Sequence, residues 1–264
     1  MKTLSSRDNP TVRQLRLLAE DAREQRRQGR TLLDGPHLVS TYRQRVGLPR
    51  LLVVSESGLD KPELEALLAL HPGQETLCLK DSLFREISGT AAPVGILALI
   101  DIPATPPGPA RGSCLLLDAV QDAGNLGSIL RTAAAAGLGD IFLGPGCAGV
   151  WTPKVLRAGQ GAHFSLAIRE RADLAAVIRG YPGRVLTTAV EGGQSLYALD
   201  LRGSVAWLFG SEGRGVDSSL ASLAQGRVTI PLISEMESLN VAAAAAICIY
   251  ESVRQNGNVF GSSA

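Results

Sequence analysis

Four cysteines (Cys78, Cys114, Cys147, Cys248) and three histidines (His37, His71, His163) lie scattered through 264 residues, with no CxxC. That spacing excludes a disulfide framework and a zinc site of the usual kind. No apolar run reaches the roughly 18 residues that a membrane span needs. The opening residues, MKTLSSRDNP, lack the apolar stretch of a secretory signal. A reducing, cytoplasmic compartment is therefore expected, with no membrane and no metal. What is present is 45% hydrophobic and 19% charged residues, with 29 Gly and 14 Pro. That is the make-up of a folded α/β protein and excludes wholesale disorder or a collagen-like chain.

The net charge is +1, but it is unevenly spread. Residues 1–50 carry eleven Lys/Arg against five Asp/Glu, whereas residues 51–100 carry three against seven. A basic head on a near-neutral body points to a polyanionic partner, although an arginine-rich solvated helix has the same composition. Within the head, residues 11–28 set Val12, Leu15, Leu18, Ala19 and Ala22 at helical spacing. The pattern predicts one amphipathic helix with a mostly basic outer face.

Beyond it, short apolar strands alternate with helices: strands at 31–34, 51–55, 76–79 and 94–100, helices at 36–46, 61–70 and 81–88. The stretch DIPATPPGPARGS (101–113) has four prolines and no apolar period, and reads as a linker. A second alternation follows, with strands at 114–118, 140–144, 164–168, 184–190, 204–210 and 227–232. Helices are expected at 125–137, 153–161, 172–180, 216–223 and 239–255. Near-continuous apolar strands separated by helices predict a mostly parallel sheet covered on both faces, with ligand at the strand C-termini. The expected division is a basic helix (1–30), a small α/β domain (31–100), the linker (101–113) and an α/β domain (114–264).

Three strand-to-helix segments are too polar to be plain connectors. In DAVQDAGNLGSILRTAAAAG (118–137), Asn125 opens the helix as its expected cap. Arg131 then sits in an otherwise apolar stretch, where it must find an anion or reach solvent. In WLFGSEGRGV (207–216), a buried strand runs into Gly210, Gly213 and Gly215, with Glu212 and Arg214 interleaved. A nucleoside triphosphate loop is excluded there, because GK[ST] is absent and Glu212 would repel phosphate. In the segment 229–251, Ile230, Pro231 and Leu232 leave a strand. Ser238, Leu239 and Asn240 then start an alanine-rich helix with Ser238 as its expected cap. A competing motif, Gly144–Gly149 (GxGxxG) with Glu170 about twenty residues on, would suit a dinucleotide. Against it, Pro145 stiffens the run and Pro153 delays the helix.

Taken in order, Asn125-Leu126-Gly127 with Arg131, Phe209 to Gly213, and Ile230-Pro231 with Glu237 to Val241 resemble the motifs of the SpoU (TrmH-like) family of SPOUT methyltransferases. LLDGPHLV (32–39) is similar to the start of the small RNA-binding domain that many members carry. Ala123, Ser234 and Ala242 depart from the family pattern, where Pro, Gly and Ser are usual. The resemblance implies a C-terminal domain with a deep trefoil knot and a homodimer. It implies transfer of a methyl group from S-adenosylmethionine to a ribose 2′-OH of ribosomal or transfer RNA. It also gives the cofactor to Thr188, Gly210, Ile230, Leu232 and Leu239, and the chemistry to Arg131, Asn125, Glu212, Ser238 and Asn240. In the family Arg131 is sometimes described as a general base; a cation clamping the adjacent phosphate suits arginine better, since its guanidinium stays protonated. The alternatives are an NAD(P)-dependent oxidoreductase built on the glycine motif, and an RNA-binding module without catalysis.

Overall fold

In the computed structural model, which describes residues 1–233 and 237–257, Val12, Leu15 and Leu18 are fully buried. The apolar stripe read over 11–28 forms two helices, α1 (Pro10–Glu20) and α2 (Ala22–Gln28). Asp21 breaks it: its backbone is extended, and its carboxylate caps α2 by accepting from the N–H groups of Arg23 and Glu24. Two helices replace the single one expected. Before them lies a strand the sequence did not reveal, β1 (Lys2–Leu4).

The chain continues through β2 (Arg30–Asp34), α3 (Pro36–Arg45), β3 (Leu51–Ser55), α4 (Pro62–Ala69), β4 (Thr76–Leu79), α5 (Asp81–Ser88) and β5 (Ile96–Asp101). The five strands form one sheet in the order β1-β4-β3-β5-β2. β1 and β3 run parallel to β4, while β5 is antiparallel to both β2 and β3. Leu4, Val12, Leu15 and Leu18 share one core with Leu32, Val53, Leu79, Phe84 and Leu97. Residues 1–30 are therefore part of this unit and not a detached basic arm. Much of the arginine charge is already paired: Arg7 and Arg16 meet Glu86, Arg27 meets Glu24, and Arg30 and Arg50 meet Asp101.

A second sheet is built from β6 (Cys114–Leu117), β7 (Asp140–Leu143), β8 (Ala167–Arg169), β9 (Arg184–Thr188), β10 (Gln194–Ser195), β11 (Val205–Phe209) and β12 (Gly226–Thr229). All seven strands are parallel, in the order β10-β12-β9-β11-β6-β7-β8. The helices along this part of the chain are α6 (Ala123–Ala135), α7 (Pro153–Gly159), α8 (Leu174–Gly180), the short α9 (Ser218–Ala221) and α10 (Val241–Gln255). β6 and β11 are buried throughout, which accounts for their unbroken apolar sequences. Because every strand points the same way, the segments after β6, β9, β11 and β12 emerge at one edge. No helix among the described residues is long and apolar enough to cross a membrane.

Contacts divide the chain differently from a single cut at the proline-rich linker. Met1–Ala104 and Trp151–Phe164 form one compact unit; Thr105–Val150 and Ser165–Ala264 form the other. The segment 151–164, expected inside the second domain, is fastened to the first. Thr31 donates to the Trp151 carbonyl, Arg157 pairs with Asp34 at 2.9 Å, and the Phe164 and Tyr42 rings meet edge to face. The first unit thus includes α7, although α7 lies between β7 and β8 in sequence.

Candidate active site

Asp122, not Asn125, caps α6: its carboxylate accepts from the Asn125 N–H at 2.8 Å. Asn125 therefore stands in the first turn. Leu126, Ile129, Leu130 and Ala133 are buried along the helix, while Asn125 is half-exposed. A parallel correction applies to α10. Its cap is Asn240 and not Ser238, with Asn240 Oδ1 accepting from the N–H groups of Ala242 and Ala243 at 2.9 and 3.2 Å.

That cap fixes the Asn240 amide, since Oδ1 must face the helix and Nδ2 must point away. Nδ2 donates to Asn125 Oδ1 at 2.9 Å, and Asn125 Nδ2 in turn donates to Glu212 Oε1 at 2.8 Å. The orientation of each amide follows from its neighbour. Desolvation pushes the Glu212 carboxyl up, but hydrogen bonds from Asn125 and from the backbone of Glu212, Asp122 and Gln121 outweigh it. Its pKa falls below the usual carboxylate range, so Glu212 is an ionised acceptor at neutral pH.

Glu212 sits at the tip of a closed loop. Ser211 and Gly215 exchange backbone hydrogen bonds at 3.0 and 2.9 Å, and the Arg214 N–H donates to Ser211 Oγ. Closure leaves no space at Gly210, where a Cβ would lie 2.0 Å from the Gly215 carbonyl carbon. Gly213 has open space instead.

Beside this loop lies a cavity of about 700 Å³. Thr188, Gly210, Ile230, Leu232 and Leu239 all line it, as do Glu212, Ser238 and Asn240. β12 ends at Thr229, earlier than expected, so Ile230 and Leu232 stand beyond the sheet. Arg131 is not brought into this lining. It is exposed on α6, with no ion pair among the described residues. Arg214 and Val190 also line the cavity. Arg214 stood in the glycine segment already singled out, while Val190 had no signal in sequence. Ser234 falls outside the described residues.

The lining suits an adenosyl sulfonium. Ile230, Leu232 and Leu239 provide apolar walls, the loops offer backbone groups for a base edge, and Glu212 and Glu237 offer negative charge. Gly144–Gly149, the rival dinucleotide motif, contributes nothing to the lining. The helix that follows it, α7, belongs to the first unit, so the glycines do not open a helix in their own domain.

Comparisons with known proteins agree with this geometry. The model of the SpoU rRNA Methylase family matches residues 112–250, and that of an MRM3-like substrate binding domain matches residues 9–98. A 23S rRNA (guanosine(2553)-2′-O)-methyltransferase of Bacillus subtilis is 32% identical over 95% of this chain and 98% of its own length. Among solved structures, an AdoMet-bound rRNA methyltransferase from Sinorhizobium meliloti superposes with a TM-score of 0.83 at 25% identity, covering 98% of this chain and 99% of that one. The AdoMet complex of AviRb, a SpoU methyltransferase from Streptomyces viridochromogenes, gives 0.79 at 25% identity, covering 94% and 98%. This chain belongs to the SpoU rRNA methylase family.

Proposed function

We propose that this protein methylates the 2′-hydroxyl of a guanosine ribose in large-subunit ribosomal RNA, using S-adenosylmethionine. The observation that carries the reading is the Asn240–Asn125–Glu212 chain of hydrogen bonds beside a cavity of adenosyl size. The near-full-length relative from Bacillus subtilis, named for a 23S rRNA guanosine 2′-O reaction, favours ribosomal over transfer RNA. The intact network and cavity favour an enzyme over a binding module.

Bound S-adenosylmethionine supplies an electrophilic methyl carbon on a sulfonium. Everything else falls to side chains and backbone of this chain. Thr188, Gly210, Ile230, Leu232 and Leu239 hold the cofactor, and Ser238 lines the same cavity. Asn240 orients Asn125, and Asn125 holds the ionised Glu212 carboxylate towards its own amide. Holding acceptor and donor in line contributes much of the acceleration: the 2′-oxygen bonds the methyl carbon as the methyl–sulfonium bond breaks, and the hydroxyl proton is released to water. Arg131 remains a cation at any ordinary pH, so its role is to grip the phosphate beside the target ribose and stabilise developing alkoxide charge. Its exposure on α6 suits contact with RNA.

The same reading has the protein working in the cytoplasm as a homodimer with a trefoil knot. α10 returns from beyond β12 to pack on α6 and β11, and it leaves Ala243 and Tyr250 exposed along a slim face. The test is to map 2′-O-methylation in RNA from a strain lacking the gene. One 23S rRNA guanosine should lose its methyl group; a lost transfer-RNA methyl with 23S rRNA unchanged would overturn the substrate.

A further inference from the structure

Of the described residues that line the cavity, Arg214 is the one cation, against the carboxylates of Glu212 and Glu237. It is exposed, and among the described residues its side chain has neither an ion pair nor a hydrogen bond. Glu212, two residues away, is already committed to Asn125. The backbone beneath Arg214 is held at three points: the two Ser211–Gly215 hydrogen bonds and its own N–H on Ser211 Oγ. A fixed backbone with a free guanidinium at its tip is a poor design for structural pairing and a good one for catching an anion.

RNA must bring a phosphate close to a cavity whose lining carries the Glu212 and Glu237 carboxylates, which would repel it. We propose that Arg214 is a positioning residue that grips an RNA phosphate at the mouth of the cofactor cavity, offsetting those carboxylates and setting the entry of the target nucleotide. The proposal rests on the reading above that the substrate is RNA. Arginine suits the task because its planar fork holds phosphate through two parallel hydrogen bonds. Arg214 differs in place from Arg131: it stands on the cavity rim, and Arg131 on the solvent face of α6.

The experiment uses the full chain with Arg214→Gln and Arg214→Lys, an unmodified 23S rRNA transcript and S-adenosylmethionine, with circular dichroism as the folding control. RNA affinity is measured by filter binding across a salt series, cofactor affinity by calorimetry, and methyl transfer by single turnover. Arg214→Gln should weaken RNA binding and raise the half-saturating RNA about tenfold. It should flatten the logarithmic salt slope by about one, the loss of a single phosphate contact. The rate at saturating RNA and the affinity for S-adenosylmethionine should hold, and Arg214→Lys should recover part of the RNA binding. Unchanged RNA affinity and slope would overturn the proposal. So would a loss confined to cofactor affinity, which would assign Arg214 to the carboxylate of the methionine moiety. Failure of the wild-type chain to transfer methyl to any RNA would end the functional reading, whereas the binding series decides on Arg214 by itself.

Discussion

Asn240 Nδ2 donates to Asn125 Oδ1 at 2.9 Å, across 115 residues of sequence. The bond ties the first turn of α6 to the cap of α10, and it works only because the cap fixes which end of the Asn240 amide faces outward. Asn240→Asp separates the two roles. Aspartate caps a helix as well as asparagine, so the melting temperature should move little. It has no N–H to give, however, and it sets a second negative charge beside Asn125 and Glu212. Methyl transfer should fall about tenfold, the worth of a lost hydrogen bond together with a like charge set near Glu212. Single-turnover assay alongside thermal melts checks it; equal loss of stability and activity would reduce Asn240 to a cap.

Gly210 and Gly213 are two positions apart, yet they should respond oppositely to alanine. A methyl group at Gly210 would stand 2.0 Å from backbone carbon of Gly215, which cannot swing aside as a side chain could. Relieving that overlap must open the Ser211–Gly215 turn, at a cost of about 1–3 kcal/mol or more. Gly210→Ala should therefore lose S-adenosylmethionine binding in calorimetry. Gly213→Ala meets nothing within 4 Å and should bind normally.

Removing residues 1–30 should unfold the first unit instead of merely stripping positive charge. Val12, Leu15 and Leu18 are fully buried, and β1 lies at the edge of the sheet beside β4. Leu15→Ala alone should cost about 2–5 kcal/mol. Chemical denaturation of the full chain would detect both effects. A soluble, cooperatively folding truncation would contradict the packing described.

Glu251 gives the protein an acid-sensitive contribution. Hydrogen bonds from Arg254 hold its carboxyl at about 2, from an ordinary 4.5, against a desolvation that acts the other way. A carboxyl lower in the folded state than in the unfolded one stabilises the fold above its unfolded value. That contribution drains away as pH falls towards the folded value. The gap in melting temperature between the wild type and Glu251→Gln should thus be full at pH 6 and shrink steadily below about pH 4.5. A gap unchanged at pH 3 would remove Glu251 from the ledger of acid stability.

Apolar strands were legible because burial on both faces leaves an unbroken sequence signature, as in Leu115 to Leu117 and Trp207 to Phe209. Among the residues that line the cavity, Gly210, Glu212 and Arg214 were legible as a glycine-rich polar break directly after β11, whereas Thr188, Ile230, Leu232 and Leu239 were given to the cofactor only by the family resemblance. What sequence could not resolve was a choice between equals. Asp122 and Asn125 are both good caps, as are Ser238 and Asn240, and only the backbone angles select one of each pair. The pairing of Asn125 with Asn240 is tertiary and leaves no local trace. The attachment of 151–164 to the first unit was hidden for a similar reason: a helix opened by Pro153 between two strands reads as an ordinary crossover. Its anchors, Asp34 and Thr31, are more than a hundred residues away in sequence.

Arg131 provides the decisive test of the chemistry. It lies on α6 six residues beyond Asn125, exposed and outside the cavity lining. Because Arg131 is exposed and its side chain makes no ion pair among the described residues, Arg131→Ala should leave folding and S-adenosylmethionine affinity close to wild type. If its charge serves the transition state, methyl transfer should nevertheless fall about a hundredfold or more, the scale of a lost electrostatic stabiliser. Arg131→Lys keeps the charge but not the planar fork, so a bidentate grip on phosphate predicts little recovery. A point charge acting at a distance predicts nearly full recovery. Single-turnover transfer of labelled methyl to an unmodified 23S rRNA transcript separates these outcomes, with circular dichroism and calorimetry as controls. A folded Arg131→Ala protein that methylates at the wild-type rate would move the catalytic cation elsewhere.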